Sequence, residues 1–312
     1  MNWLRQRWNR FWFEPASPSN LGLCRIAFYG TLVILYAGTD SRGWASVPDV
    51  FWMPITLFKL LAIPVLSPTT LGWLDAVWIL SLVLACLGVA TRWTSLAAFL
   101  AGAYILGLPH NFGKTHHFDT VVVLTLGIMA VARAGDAWSV DRMLRRRKAR
   151  CNEAEPPHAE YTWPVRLVWT AMATAFFAAG VSKLRVSGLE WIFSDNLRFE
   201  LIRHQFDHHP LTHWGPWLAQ FPNLTRLMAG ASVALELSAP LALLSRRLRA
   251  VIVPSLVLLQ ASILVLMGVS FVPYLAVYAF WVPWDRVLSL TWVPHRRRAP
   301  GTPGVAAAGL DR

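Results

Sequence analysis

Residues 163–184 read WPVRLVWTAMATAFFAAGVSKL. At about 1.5 Å per residue, a helix of this length covers the roughly 30 Å hydrocarbon core of a bilayer. One arginine near its start and one lysine near its end are its only charges. Alone, the run would suit a buried helix of a soluble protein. Comparable apolar runs recur, however, at about 21–38, 72–90, 93–109, 117–134, 225–245, 250–268 and 271–289. The chain has 312 residues, 55% of them hydrophobic and only 15% charged, where a soluble domain carries about 25% charged residues. The expected fold is all-α, a polytopic membrane helical bundle of about eight transmembrane helices. No short-period repeat points to a solenoid.

The formal net charge of +12 sits in short segments between the apolar runs. Arg5, Arg7 and Arg10 precede the first, and Arg92 separates the second from the third. RMLRRRKAR (142–150), RRLR (246–249) and HRRR (295–298) follow the fourth, sixth and eighth. With eight crossings all of these share one side. Lys and Arg concentrate on the cytoplasmic side of membrane proteins, so both termini are expected in the cytoplasm. Arg185, Arg198 and Arg203, on the outer side, run against the pattern. The expected location is a bacterial cytoplasmic (inner) membrane. The charge has no base-reading motif beside it, so nucleic acid is not an expected partner; membrane lipids are. Cys24, Cys86 and Cys151 match no zinc or redox spacing, and no disulfide is expected.

Three regions are expected. Residues 1–20, opening MNWLRQRWNRFWF, have aromatic residues on one helix face with arginines around it, as in a helix lying in the membrane interface. Residues 21–290 form the transmembrane domain. Residues 291–312 are a basic, then disordered, tail rich in Pro, Gly and Ala. In the outer loop 39–71, PITLFKLLAIPVL is too short to span and is read as re-entrant or interfacial. The loop 185–224 is read as short amphipathic helices on the outer face. In GDAWSVD (135–141), Gly135 ends the fourth run and Asp136 or Ser139 caps a short basic helix.

A charge in hydrocarbon is costly and faces a partner, a cavity or the interface. Arg25 is read as snorkelling to lipid phosphates. Glu236, near the middle of the sixth run, is protonated, paired or lining a cavity. His116, His117 and Asp119 stand together in GKTHHFD. His116 and Asp119 could share a helix face. A metal would need a further ligand, such as His204, His208, His209 or His213; no tight ligand motif exists, and no metal is expected. Lys183 is either an interfacial anchor or a buried amine. Burial disfavours the ammonium and leaves a neutral base. Arg185 nearby could serve as the anchor and free Lys183 to turn inward.

Four segments, LGLCRIAFYG (21–30), NFGKTHHFD (111–119), GDAWSVD (135–141) and FFAAGVSKLRVSGLEW (176–191), carry a family resemblance. In them the chain resembles the HTTM (horizontally transferred transmembrane domain) superfamily, which includes the vitamin K-dependent γ-glutamyl carboxylases. The resemblance covers most of residues 15–290. It implies that Lys183 is a catalytic base, matching the second lysine of the carboxylases' Gly-Val-Lys-Lys-Leu segment; the first is Ser182 here. In those enzymes the lysine deprotonates vitamin K hydroquinone, which then reacts with oxygen. The strong base so formed takes a glutamate γ-proton, and carbon dioxide adds to the carbanion. The supporting histidine matches His117, with His116 one residue away. Asp119, Glu236, Arg25 and His204 are candidate neighbours of that outer-facing site. The implied cofactor is a reduced quinone of the vitamin K or menaquinol type, and the implied substrate an extracytoplasmic peptide or protein. The carboxylases' large lumenal portion has no counterpart in these 312 residues, so propeptide-directed glutamate carboxylation is not expected. The alternative is a non-enzymatic membrane factor for maturation or assembly of a secreted peptide or protein. A transporter role ranks last, for want of paired broken helices.

Overall fold

The computed structural model describes residues 2–113, 118–149, 155–207 and 210–291. Among them regular structure is helical throughout. Helix α1 (Asn2–Phe13) leads into α2 (Pro18–Tyr36). After two 3-10 turns and α3 (Thr56–Leu60) come α4 (Pro68–Leu87), α5 (Thr91–Gly107) and α6 (Phe118–Val131). The basic α7 (Val140–Ala149) precedes α8 (Trp163–Ser187). Short helices α9 (Glu190–Phe193), α10 (Asn196–Asp207) and α11 (Trp214–Leu218) follow. The chain continues with α12 (Pro222–Ser238), α13 (Leu241–Leu244), α14 (Arg246–Met267), α15 (Pro273–Tyr278) and α16 (Trp284–Thr291).

Helix ends follow local chemistry. Ser17, Ser67 and Ser245 accept a backbone N–H at the starts of α2, α4 and α14, and proline occupies the first positions of α2, α4, α8, α12 and α15. Gly88 (φ +72°) and Gly268 (φ +70°) close α4 and α14 in the left-handed region.

Four of these helices are long and apolar enough to cross a membrane: α2, α4, α8 with its leading turn, and α14. The other expected spans are shorter. Helices α5 and α12 have 17 residues each and α6 has 14. The expected run 225–245 breaks where Pro240 supplies no N–H, and Ser245 is extended before α14. The expected run 271–289 is not one helix. Val282 is extended ahead of Pro283, as steric conflict with the proline ring requires, and this separates α15 from α16.

Among the described residues the main core is a single large cluster. Leu21, Cys24, Phe28, Tyr29 and Leu32 of α2 recur at helical spacing. They share that cluster with Trp78 and Leu82 of α4, Leu126 and Met129 of α6, Val168 and Met172 of α8, and Phe280. Helix α5 packs between α4 and α6, and α12 packs on α8. At Gly102 a Cβ would lie 2.7 Å from the Trp78 indole nitrogen, so glycine sets how closely α5 approaches. Cys24 and Cys86 are free thiols; Cys151 lies outside the described residues. The loop 185–224 does form short helices, and a small second core of Leu201, Ala219 and Leu266 seats them on the end of α14. Gln205 and Thr212 donate to the terminal carbonyls of Leu266 and Val265 there, groups that a helix end leaves without partners. The proposed tail 291–312 lies, apart from Thr291, outside the described residues.

Candidate functional site

Helices α8 and α12 meet closely because Gly180 has no side chain. A Cβ there would stand 3.1 Å from Glu236 Cβ and from Leu237. One turn further along α8, Lys183 faces the same neighbour. Its Nζ donates to both Glu236 oxygens, at 2.6 and 2.7 Å. The Lys183 side chain is 23% exposed and that of Glu236 8%. The indole of Trp191, from α9, lies 5.4 Å from Nζ. Lys183 therefore turns inward to a carboxylate, and Glu236 belongs to the paired one of its three expected states.

Asp119 is buried at the start of α6 and meets His110 Nε2 at 3.2 Å. Sequence reasoning missed His110. Its signal was weak: Pro109 and Gly113 (φ +88°) flank a tight turn that folds the segment back toward α6. His116 and His117, expected at the site, lie outside the described residues. Tyr274 packs on Phe176, ring centroids 5.8 Å apart. Phe176 precedes Lys183 by two helical turns, about 10 Å along α8. Helix α6 also packs directly on α8. Asp119 and Lys183 thus stand on two helices in direct contact, α6 and α8.

His204 is buried elsewhere, on α10. Its Nδ1 lies 2.8 Å from the Glu200 carbonyl and 3.3 Å from the Glu200 carboxylate. His213 contacts Gln205, and His208 and His209 lie outside the described residues. Among the described residues no group of three or more His, Cys, Asp or Glu could hold a metal ion.

Arg25 is a correction. It does not snorkel: the residue is fully buried. It donates to the carbonyls of Ala134 (2.9 Å), Ala137 (3.4 Å) and Trp138 (2.6 Å). Two of the four family-like segments are thereby tied together, α2 to the turn GDAWSVD. The guanidinium satisfies a tight turn whose carbonyls point into the bundle, and this removes it from the interface. Within the turn, Ser139 accepts the Arg142 N–H at 2.9 Å and is the cap of α7. Asp136 instead joins Arg133, Arg145 and Tyr161 at 2.9, 2.8 and 3.0 Å. Asp141 was also missed. It accepts the backbone N–H groups of Ala90 (2.8 Å) and Thr91 (2.7 Å) and the Thr91 hydroxyl (2.7 Å). It thereby caps α5 from another helix. Burial by itself raises the Asp141 carboxyl, but the bonds from Thr91 and Ala90 outweigh it and hold the group below its ordinary value.

The family model of the HTTM domain matches residues 13–284. No curated protein matches, and no solved structure matches.

Proposed function

The chain belongs to the HTTM family, and from that premise we propose that it is a membrane enzyme that takes a proton from a reduced quinone at Lys183. The observation that carries this reading is the Lys183–Glu236 pair between α8 and α12. Ionisable residues inside a membrane bundle are costly, face its interior and mark functional sites. A glycine-set helix contact that brings an amine and a carboxylate together is such a site.

The residues fit an apolar, hydroxyl-bearing ring. The amine is partly exposed, Trp191 stands beside it, and Val186, one turn beyond Lys183, is open. When bound, a reduced quinone would supply an acidic hydroxyl and the reducing equivalents for reaction with oxygen. The chain's own part is proton transfer. The ammonium proton of Lys183 passes to Glu236, leaving a neutral amine and a neutral acid. A low-dielectric site tolerates that neutral pair better than separated charges. The neutral Lys183 amine would then be the base that receives the proton of the quinol hydroxyl, and Glu236 would hold the proton that Lys183 gave up. Glu236 thus sets the proton on Lys183.

The proposed topology completes the four long helices with crossings by α5, α6, α12 and the broken α15–α16 segment. The basic segments and both termini then lie in the cytoplasm, and Lys183 faces the outer side of a bacterial inner membrane. A secreted peptide or protein would be the final substrate.

The test uses purified protein with a reduced menaquinone or vitamin K analogue under air, following epoxide formation. Lys183→Ala and Lys183→Arg should both abolish it, because arginine stays protonated. One observation favours a second reading. The ammonium held by both carboxylate oxygens is also what a structural clamp would use, as in a maturation factor without chemistry. That reading expects no epoxide from the wild type and a Lys183→Arg variant that still supports the process in cells.

A further inference from the structure

The turn GDAWSVD serves neither partner of the Lys183 pair, yet the fold holds it with a fully buried arginine. Trp138 in it adopts φ +53°, a region that bulky residues avoid. Its carbonyl is fixed by Arg25 while the residue is 53% exposed. Beside it opens a cleft of ≈ 550 Å³ between the start of α2 and α7. Ser17, Ser19, Trp138, Arg142, Arg146 and Arg147 line it. Glu155 is the acidic residue in the lining. Arg142 donates to the Asp136 carbonyl, and Arg146 and Arg147 are exposed, with no hydrogen bond or ion pair among the described residues. The cleft thus has a charge excess of two, at the end of a helix long enough to span the bilayer.

We infer that this cleft binds the phosphate headgroup of an anionic phospholipid from the surrounding membrane. The unpaired guanidiniums match a phosphodiester. The position, at the end of α2, is where headgroups lie. The exposed apolar side chains Trp138, Met143 and Leu144 border the basic face of α7; they offer contact to acyl chains and would be useless to a free anion. Basic pockets at the ends of membrane helices bind headgroups in this manner, each arginine strengthening the attraction about fivefold.

The experiment compares purified wild type, Arg146→Gln/Arg147→Gln and Trp138→Gly. Each is presented with nanodiscs of phosphatidylcholine alone or with phosphatidylglycerol, and separately with inorganic phosphate. Lipid retained on the protein is counted by native mass spectrometry, and melting is followed in parallel. The wild type should retain phosphatidylglycerol over phosphatidylcholine, and the double variant should lose about 25-fold of that preference. Glycine is at ease at φ +53°, so Trp138→Gly should fold normally and still retain less lipid. Equal retention of the two lipids by the wild type would overturn the inference. So would an undiminished preference in the double variant. Stabilisation by millimolar phosphate equal to that by phosphatidylglycerol would assign the cleft to a free anion instead. Should the double variant not fold, the wild-type lipid comparison and Trp138→Gly decide between these outcomes.

Discussion

Lys183 and Glu236 lie 53 positions apart, yet each is the other's main electrostatic neighbour. Removing one member of a buried pair leaves an uncompensated charge and costs about 3–5 kcal/mol; replacing both with apolar residues is often neutral. The cost here should fall below that range because Lys183 is 23% exposed. Lys183→Met should therefore lower the melting temperature, and Lys183→Met/Glu236→Leu should recover most of the loss. Epoxide formation, in contrast, should stay absent in the double variant. Melting in detergent alongside the epoxide assay separates the roles. Full recovery of both would sink the catalytic reading, and a double variant as unstable as the single would sink the pairing. The sequence marked both residues but not their partnership. No local spacing connects them, and only the α8–α12 contact at Gly180 does.

The residue preceding helix α5 is Ala90, a non-glycine residue with φ +43° and no side chain able to cap. Asp141, from the first turn of α7, does the capping. Because its folded carboxyl titrates below the ordinary value, its contribution is complete above about pH 4, the unfolded value. It is lost as the pH falls through the lower folded value. Asp141→Ala should cost about 0.5–2 kcal/mol near neutral pH, and its deficit against wild type should shrink below about pH 4. Thermal melts at stepped pH test this; a deficit unchanged down to pH 3 would mean that the carboxylate's charge is not what caps α5. The same element scale explains Arg25. Its position near a span end pointed to lipid phosphates, whereas a turn more than a hundred residues away offers three carbonyls in their place.

For the molecule as a whole, the number of crossings is open to direct measurement. If α5, α6 and α12 cross as proposed, Arg146 and Arg247 lie on the same side. If only the four long helices cross, α8 alone separates the two positions and they lie on opposite sides. Single cysteines at these exposed sites, Arg146→Cys and Arg247→Cys, in a background lacking native cysteines, should both be shielded from a membrane-impermeant maleimide in intact cells. Labelling of Arg247→Cys alone would refute the eight-crossing arrangement.

The sequence by itself determined the class. Apolar runs of bilayer length and scarce charge leave a helical membrane bundle, because an unsatisfied backbone cannot cross hydrocarbon. It also determined most helix limits, through serine caps, early prolines and closing glycines, all of them local chemistry. The tertiary structure decided which charges meet. Lys183 with Glu236, His110 with Asp119, Arg25 with the GDAWSVD turn and Asp141 with α5 are contacts between separate segments. A buried charge must find a partner, but sequence spacing does not say which one, since packing between helices sets which faces come together.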